Sequence, residues 1–263
     1  MRNLCLLFLF FLSLPLIGKP RILVSIPPQK YLVQEIAGDT VEVDVIVPPG
    51  VSPHTYEPTL QLMTKIQDAE VWFRIGEGFE HHLMPILSCK IIDQREGLEL
   101  LPCSCCHKEA FDSHIWLSPK LLKAQILQIK TYLVSAHPES ALQFEMGFSS
   151  LEERLEALLQ KLQQQPFPKA ILVSHPAFGY FCRDFNIHQL SIEMEGKEPA
   201  PRQITHLIQE AREHNLNKVF LQRQYSTQGG RRIAQELSLE VIYVDPYAEN
   251  VLSNLDYLGE VFR

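Results

Sequence analysis

VSPHTYEPTL, residues Val51–Leu60, carries a single histidine where a strand should give way to a helix. Upstream, in VEVDVIV, Val41, Val43, Val45 and Val47 recur at every second position, the period of a strand. Pro48, Pro49 and Gly50 end it. Downstream, Thr59 is placed to cap a helix through Gln61, Leu62 and Ile66. His54 is therefore expected in the loop at the carboxyl end of a strand, where open α/β sheets bind their ligands.

Three other segments repeat this arrangement. In FDSHIWLSP, His114 precedes Ser118 and Pro119, a cap and first-turn proline for a helix over Lys120–Leu133. In ILVSHPAFGYF, His175 directly follows the apolar run Ala170–Ser174, and in VIYVDPYAEN, Asp245 directly follows Val241–Val244. Three imidazoles and one carboxylate thus fall at four strand ends, two in each half of the chain. Together they form a candidate metal site. The other histidines lack such a setting: His81 and His82 read as surface or packing residues of a helix, His137 as a helix boundary, and His188, His206 and His214 show no partner in a repeated context.

The 263 residues suffice for one large core or two smaller ones, and 46% hydrophobic with 21% charged is ordinary globular composition. A net charge of −7 and the absence of a dense basic run exclude nucleic acid as an expected partner. Residues 1–18 differ in kind. Arg2 followed by the apolar stretch Leu4–Ile17, with Pro15 and Gly18 near its end, reads as a secretory signal peptide cleaved near Gly18. An uncleaved anchor is the alternative, although the apolar stretch is shorter than the roughly 20 residues of a membrane span. Cys5 precedes the apolar stretch, so it is badly placed to carry a lipid.

The remainder alternates strand and helix, which indicates parallel α/β lobes. The first lobe is expected over 19–137, with strands at 21–26, 41–47, 71–74 and 89–92. Pro138–Gln165 has one glycine, no internal proline, and leucines at helical spacing, including Leu142, Leu151, Leu155 and Leu162. It reads as one long helix joining the lobes. The second lobe, 166–263, repeats the alternation with strands at 170–174, 188–192, 218–221 and 241–244. Two lobes joined by a helix make a cleft, with His54 and His114 on one wall and His175 and Asp245 on the other. GEGFEH, Gly76–His81, lacks the third glycine and the strand-to-helix setting of a dinucleotide loop.

The chain resembles the metal receptors among ABC-transporter solute-binding proteins. The resemblance rests on SIPPQKYLVQEIAGDTVEVDVIVPPGVSPHTYEPT, WFRIGEGFEHHL, DSHIWLSP, LVSHPAFGYF, EPAPRQI and DPYAEN in order, and covers nearly all of the chain beyond the leader. It implies two lobes bridged by a backbone helix, His54, His114, His175 and Asp245 as metal ligands, a periplasmic location, and delivery of the ion by a monomer to an inner-membrane ABC permease. One ligand pair per lobe would let lobe displacement release the ion.

Three imidazoles and a carboxylate suit tetrahedral Zn²⁺, whereas Mn²⁺ prefers more oxygen. Related manganese receptors often place a glutamate where this chain has His175, so the resemblance favours zinc, with Mn²⁺ or Fe²⁺ as alternative cargo. The chain departs from the family at Gln222, where a glutamate is common, so a supporting carboxylate is expected to be missing there. The usual long histidine-rich loop is replaced by LPCSCCHKEAFDSH. Cys103, Cys105, Cys106 and His107 could bind a soft cation; the plainer reading is disulfide pairing, with Cys89 or Cys182 as candidate partners. An exported zinc hydrolase is a second function class. A fourth protein ligand and the absence of HExxH and GxSxG weigh against it. An added adhesin role leaves no sequence signature.

Overall fold

The computed structural model describes residues 18–103, 110–193, 200–225 and 227–263. The expected signal peptide, apart from Gly18, and Cys105, Cys106 and His107 lie outside the described residues.

The first sheet comprises β1 (Arg21–Val24), β2 (Glu42–Val45), β3 (Val71–Arg74) and β4 (Lys90–Asp93), all parallel in the order β2-β1-β3-β4. The second comprises β5 (Ala170–Val173), β6 (His188–Ser191), β7 (Lys218–Gln222) and β8 (Glu240–Val244), parallel in the order β6-β5-β7-β8. The two orders are the same plan used twice. Inner strands are apolar on both faces because helices cover both faces: β3 reads VWFR and β5 reads AILV, and every residue of each is buried.

Helices α1 (Pro27–Ala37), α2 (Leu60–Lys65), α3 (Glu80–Leu83) and α4 (Pro119–Ala136) belong to the first lobe; α6 (Gly179–Asp184), α7 (Pro201–Glu213) and α8 (Gln228–Leu237) belong to the second. Between them runs α5 (Ala141–Gln163), and α9 (Val251–Val261) closes the chain. Local chemistry explains several starts. The hydroxyls of Thr59 and Ser118 accept from the backbone N–H groups of Leu62 and Leu121, and Pro119 occupies the first turn of α4. The expected single helix over 138–165 divides into a 3₁₀ turn at Pro138–Ser140 and α5 proper. Phe144, Leu151, Leu155, Leu158 and Leu162 form its buried stripe, while Leu142 lies off that stripe and is exposed.

One hydrophobic core reaches across both lobes. It joins Ile22 and Phe73 of the first sheet to Leu155 and Leu162 of α5, and these to Ile171, Phe220 and Phe262 on the far side. Smaller clusters cover the outer face of each sheet, around Leu23 and Trp72 in one lobe and Leu172 and Leu221 in the other. Polar groups cross the junction as well. Trp116 Nε1 donates to the carbonyl of Pro246 at 2.7 Å, and the Tyr180 hydroxyl donates to the carbonyl of Asp112 at 2.8 Å.

Candidate metal centre

Every residue of the site follows a strand's carboxyl end, the position that open parallel sheets use for ligands. His54 sits in the 3₁₀ turn Pro53–Thr55 beyond β2. His114 ends the loop from β4 and leads into the 3₁₀ turn Ile115–Leu117. His175 lies just past β5, with its backbone N–H held by Gln222 at the end of β7. The fold brings one nitrogen of each imidazole within 4.8 Å of the other two. His114 and His175 are buried, and His54 is largely so.

A carboxylate backs each ring. Glu77 accepts from His54 Nδ1 at 2.9 Å, Asp112 from His114 Nδ1 at 2.6 Å, and Glu193 from His175 Nδ1 at 2.7 Å. With all three Nδ1 atoms so engaged, the three Nε2 atoms face one another, and those of His54 and His175 are 3.2 Å apart. Carboxylate-backed imidazoles of this kind have a fixed tautomer and orientation and a more basic ligating nitrogen. The support continues outward: the Ser113 hydroxyl donates to Glu77 at 2.6 Å, and the Tyr225 ring stacks on His175 with centroids 3.9 Å apart.

The charges are unequal. Burial opposes a proton on His54, but the Glu77 carboxylate outweighs it and lifts the imidazole to about 9. Glu77, whose burial would otherwise raise it, is held down to about 2 by His54 and by its hydrogen bonds. His175 is pushed well below its ordinary value by burial and by the neighbouring charges of His54 and His114. The cluster thus carries a proton on His54 and keeps His175 neutral at ordinary pH.

Asp245 stands outside the group of three. It is exposed, directly past β8, and its Oδ1 accepts from Gln224 Nε2 at 2.6 Å and from the Tyr247 N–H at 2.8 Å. Against His114 Nε2 lies instead the Tyr247 hydroxyl, at 3.2 Å. The expectation that Gln222 leaves the site short of a carboxylate is corrected by Glu193, which reaches His175 from the end of β6. Gln222 has different work. Its Oε1 accepts from the His175 N–H and the Ser174 hydroxyl, while its Nε2 donates to the His175 carbonyl at 2.7 Å. Only an amide can both accept and donate in this way.

Glu77, Asp112, Glu193 and Tyr247 went unread in the sequence. Asp112 had a signal, a carboxylate two residues before a candidate ligand; Glu77 lay in GEGFEH, where glycine spacing drew the reading elsewhere; Glu193 and Tyr247 had none. Cys89 and Cys182 are free thiols, so neither is the disulfide partner the sequence allowed. Burial pushes the Cys182 thiol far up, which makes it inert.

Two lobes of parallel α/β structure meeting at a cluster of three backed imidazoles define a solute-binding protein for a metal ion. Residues 22–261 match the family of zinc-uptake complex component A, periplasmic, also called ZnuA, and the chain belongs to that family. A putative metal-binding protein of Chlamydia muridarum is 39% identical over 92% of this chain and 90% of its own length. The high-affinity zinc uptake system protein ZnuA of Bacillus subtilis is 25% identical over 83% of this chain and 76% of its own. Among solved structures, a crystal structure of ZnuA superposes with a TM-score of 0.87 at 37% identity, covering 93% of this chain and 98% of that one.

Proposed function

We propose that this protein is an exported receptor that captures one Zn²⁺ between its lobes on His54, His114, His175 and Asp245 and hands it, as a monomer, to the permease of an ABC importer in the inner membrane. The observation that carries this reading is the convergence of three imidazole Nε2 atoms, each backed by its own carboxylate. Imidazole-rich coordination without thiolate favours Zn²⁺ over Mn²⁺. Asp245 is the fourth donor in this proposal because it follows β8 directly and shares a loop with Tyr247, whose hydroxyl already touches His114. Turning its carboxylate inward would replace that phenol and complete a tetrahedron. The chemistry is coordination and release, with no bond made or broken in a substrate. Residues 1–18 supply the export signal.

Metal content and chelator competition on the exported form, beside His175→Ala and Asp245→Ala, test the proposal. One tightly held Zn²⁺ is expected, with affinity lowered at least about 10-fold by either substitution, since loss of a ligand should cost no less than loss of a ligand's supporting partner. Unchanged affinity in both variants, with loss on blocking thiols, would move the site to the Cys103–His107 segment.

A further inference from the structure

Asp245 is held away from the three imidazoles by its own lobe. Its Oδ1 takes two hydrogen bonds at once, from Gln224 Nε2 at 2.6 Å and from the Tyr247 N–H at 2.8 Å. The two donors differ in kind. The Tyr247 N–H belongs to the turn that carries Asp245 itself, whereas Gln224 reaches over from the loop after β7, the strand beside β8. A carboxylate only accepts, so the Gln224 amide must present its NH₂ group to it. The other end of that amide, Oε1, is buried and accepts from nothing among the described residues. No bond at Oε1, therefore, accounts for where this side chain points. Behind Asp245, the buried Asn254 donates from Nδ2 to the Asp245 carbonyl at 2.8 Å, which steadies the turn from which the carboxylate swings. On the inner side, the Tyr247 hydroxyl stands 3.2 Å from His114 Nε2 and 3.2 Å from the hydroxyl of Tyr225, whose ring is stacked on His175. The phenol thus covers the His114 nitrogen while Asp245 is turned out.

We propose that Gln224 is a positioning residue for metal capture: it latches Asp245 in the outward position of the metal-free protein, and an arriving ion must take the carboxylate from it. This rests on the reading of Asp245 as the fourth ligand. The latch belongs to the metal-free state alone, and a ligand shifts an equilibrium only by its differential interaction with the two states. Gln224 therefore lowers the affinity for the ion by the strength of one hydrogen bond to a charged group. The same bond re-forms as the ion leaves and draws the carboxylate off the site. Capture is made looser so that surrender of the ion is easier.

The experiment is chelator competition for Zn²⁺ on the thiol-blocked protein, comparing wild type with Gln224→Leu, Asp245→Ala and the two substitutions together. Leucine removes the donor without offering the ion a new ligand. Gln224→Leu should bind Zn²⁺ about 10-fold more tightly than wild type, the equivalent of one such hydrogen bond, and the binding it retains shows that the variant is folded. Loss of a residue that merely supported the fold would weaken binding or leave it unchanged, so the sign separates the two roles. In the Asp245→Ala background the Gln224 substitution should have no effect, because nothing is left to latch. If Asp245→Ala binds as wild type does, the fourth-ligand reading falls and the latch with it. If Asp245→Ala weakens binding but Gln224→Leu does not tighten it, the latch alone falls. Tightening that persists without Asp245 also overturns the proposal.

Discussion

In the coordination proposed above, His54 is the residue at which metal binding and proton binding compete. Its Nδ1 is committed to Glu77, and its raised affinity for a second proton means that Nε2 is protonated below about 9. A metal ion needs the lone pair of that nitrogen, so uptake must expel the proton. The sign follows. In the metal-free protein the His54–Glu77 pair stabilises the fold fully below the ordinary histidine value of 6.5 and loses that contribution as pH rises through about 9. Metal affinity therefore climbs with pH up to the same point and then levels. Calorimetry of Zn²⁺ binding in buffers of different ionisation enthalpy should show close to one proton released from His54 near about pH 7.5, vanishing above about pH 9. Glu77→Gln should shrink that release, because burial alone then favours the neutral ring. A release that is independent of both pH and Glu77 would count against the pairing.

At the scale of elements, α5 shows how a residue unfavourable to a helix can be required by packing. Gly147 lies in mid-helix, where alanine would ordinarily be favoured by about 1 kcal/mol. A Cβ there would come within 2.4 Å of the Ile36 carbonyl oxygen and 2.8 Å of that of Glu35, both at the end of α1. These are backbone atoms and cannot swing aside. Gly147→Ala is expected to destabilise the protein by about 1–3 kcal/mol, the usual cost of overpacking, read as a lower midpoint in denaturant. The strands and the long helix were legible in sequence because each is a local pattern: valine alternation in β2, the buried AILV of β5, the leucine stripe of α5. His54, His114 and His175 were legible for the same reason, each marked by its own strand end. What escaped was pairing at a distance. Glu193 meets His175 only because β6 lies beside β5. Glu80, which opens α3, is likewise drawn into the lobe from a distance: its carboxylate takes the N–H groups of Ile75 and Gly76 and the side chains of Ser25 and Arg74.

The whole molecule is tied together more firmly than two hinged lobes would be. The shared core runs through α5, and Trp116, Tyr180 and the Lys30–Glu249 ion pair at 3.1 Å add contacts across the junction. Opening the lobes widely would expose that core at about 25 cal/mol for each Å² of apolar surface. Release of the ion is therefore expected to come from movement of the ligand-bearing loops, with the lobes staying in place. Small-angle scattering should give the same radius of gyration with and without Zn²⁺, and calorimetry a single unfolding transition that Zn²⁺ shifts upward. Two resolved transitions, or a clear expansion on metal removal, would show the lobes to be separable.

The shared strand order of the two sheets bears on ancestry. Leu23–Pro27 reads LVSIP across the end of β1, and Leu172–Pro176 reads LVSHP across the end of β5, so the two lobes carry the same turn at the same place in the same plan. Doubling of one gene segment accounts for both with a single event, and superposing the sheets on their strands tests it, since the two turns must then coincide. On this account Ile26 and His175 descend from one position: one copy holds buried hydrocarbon there, and its twin an imidazole of the interlobe cluster.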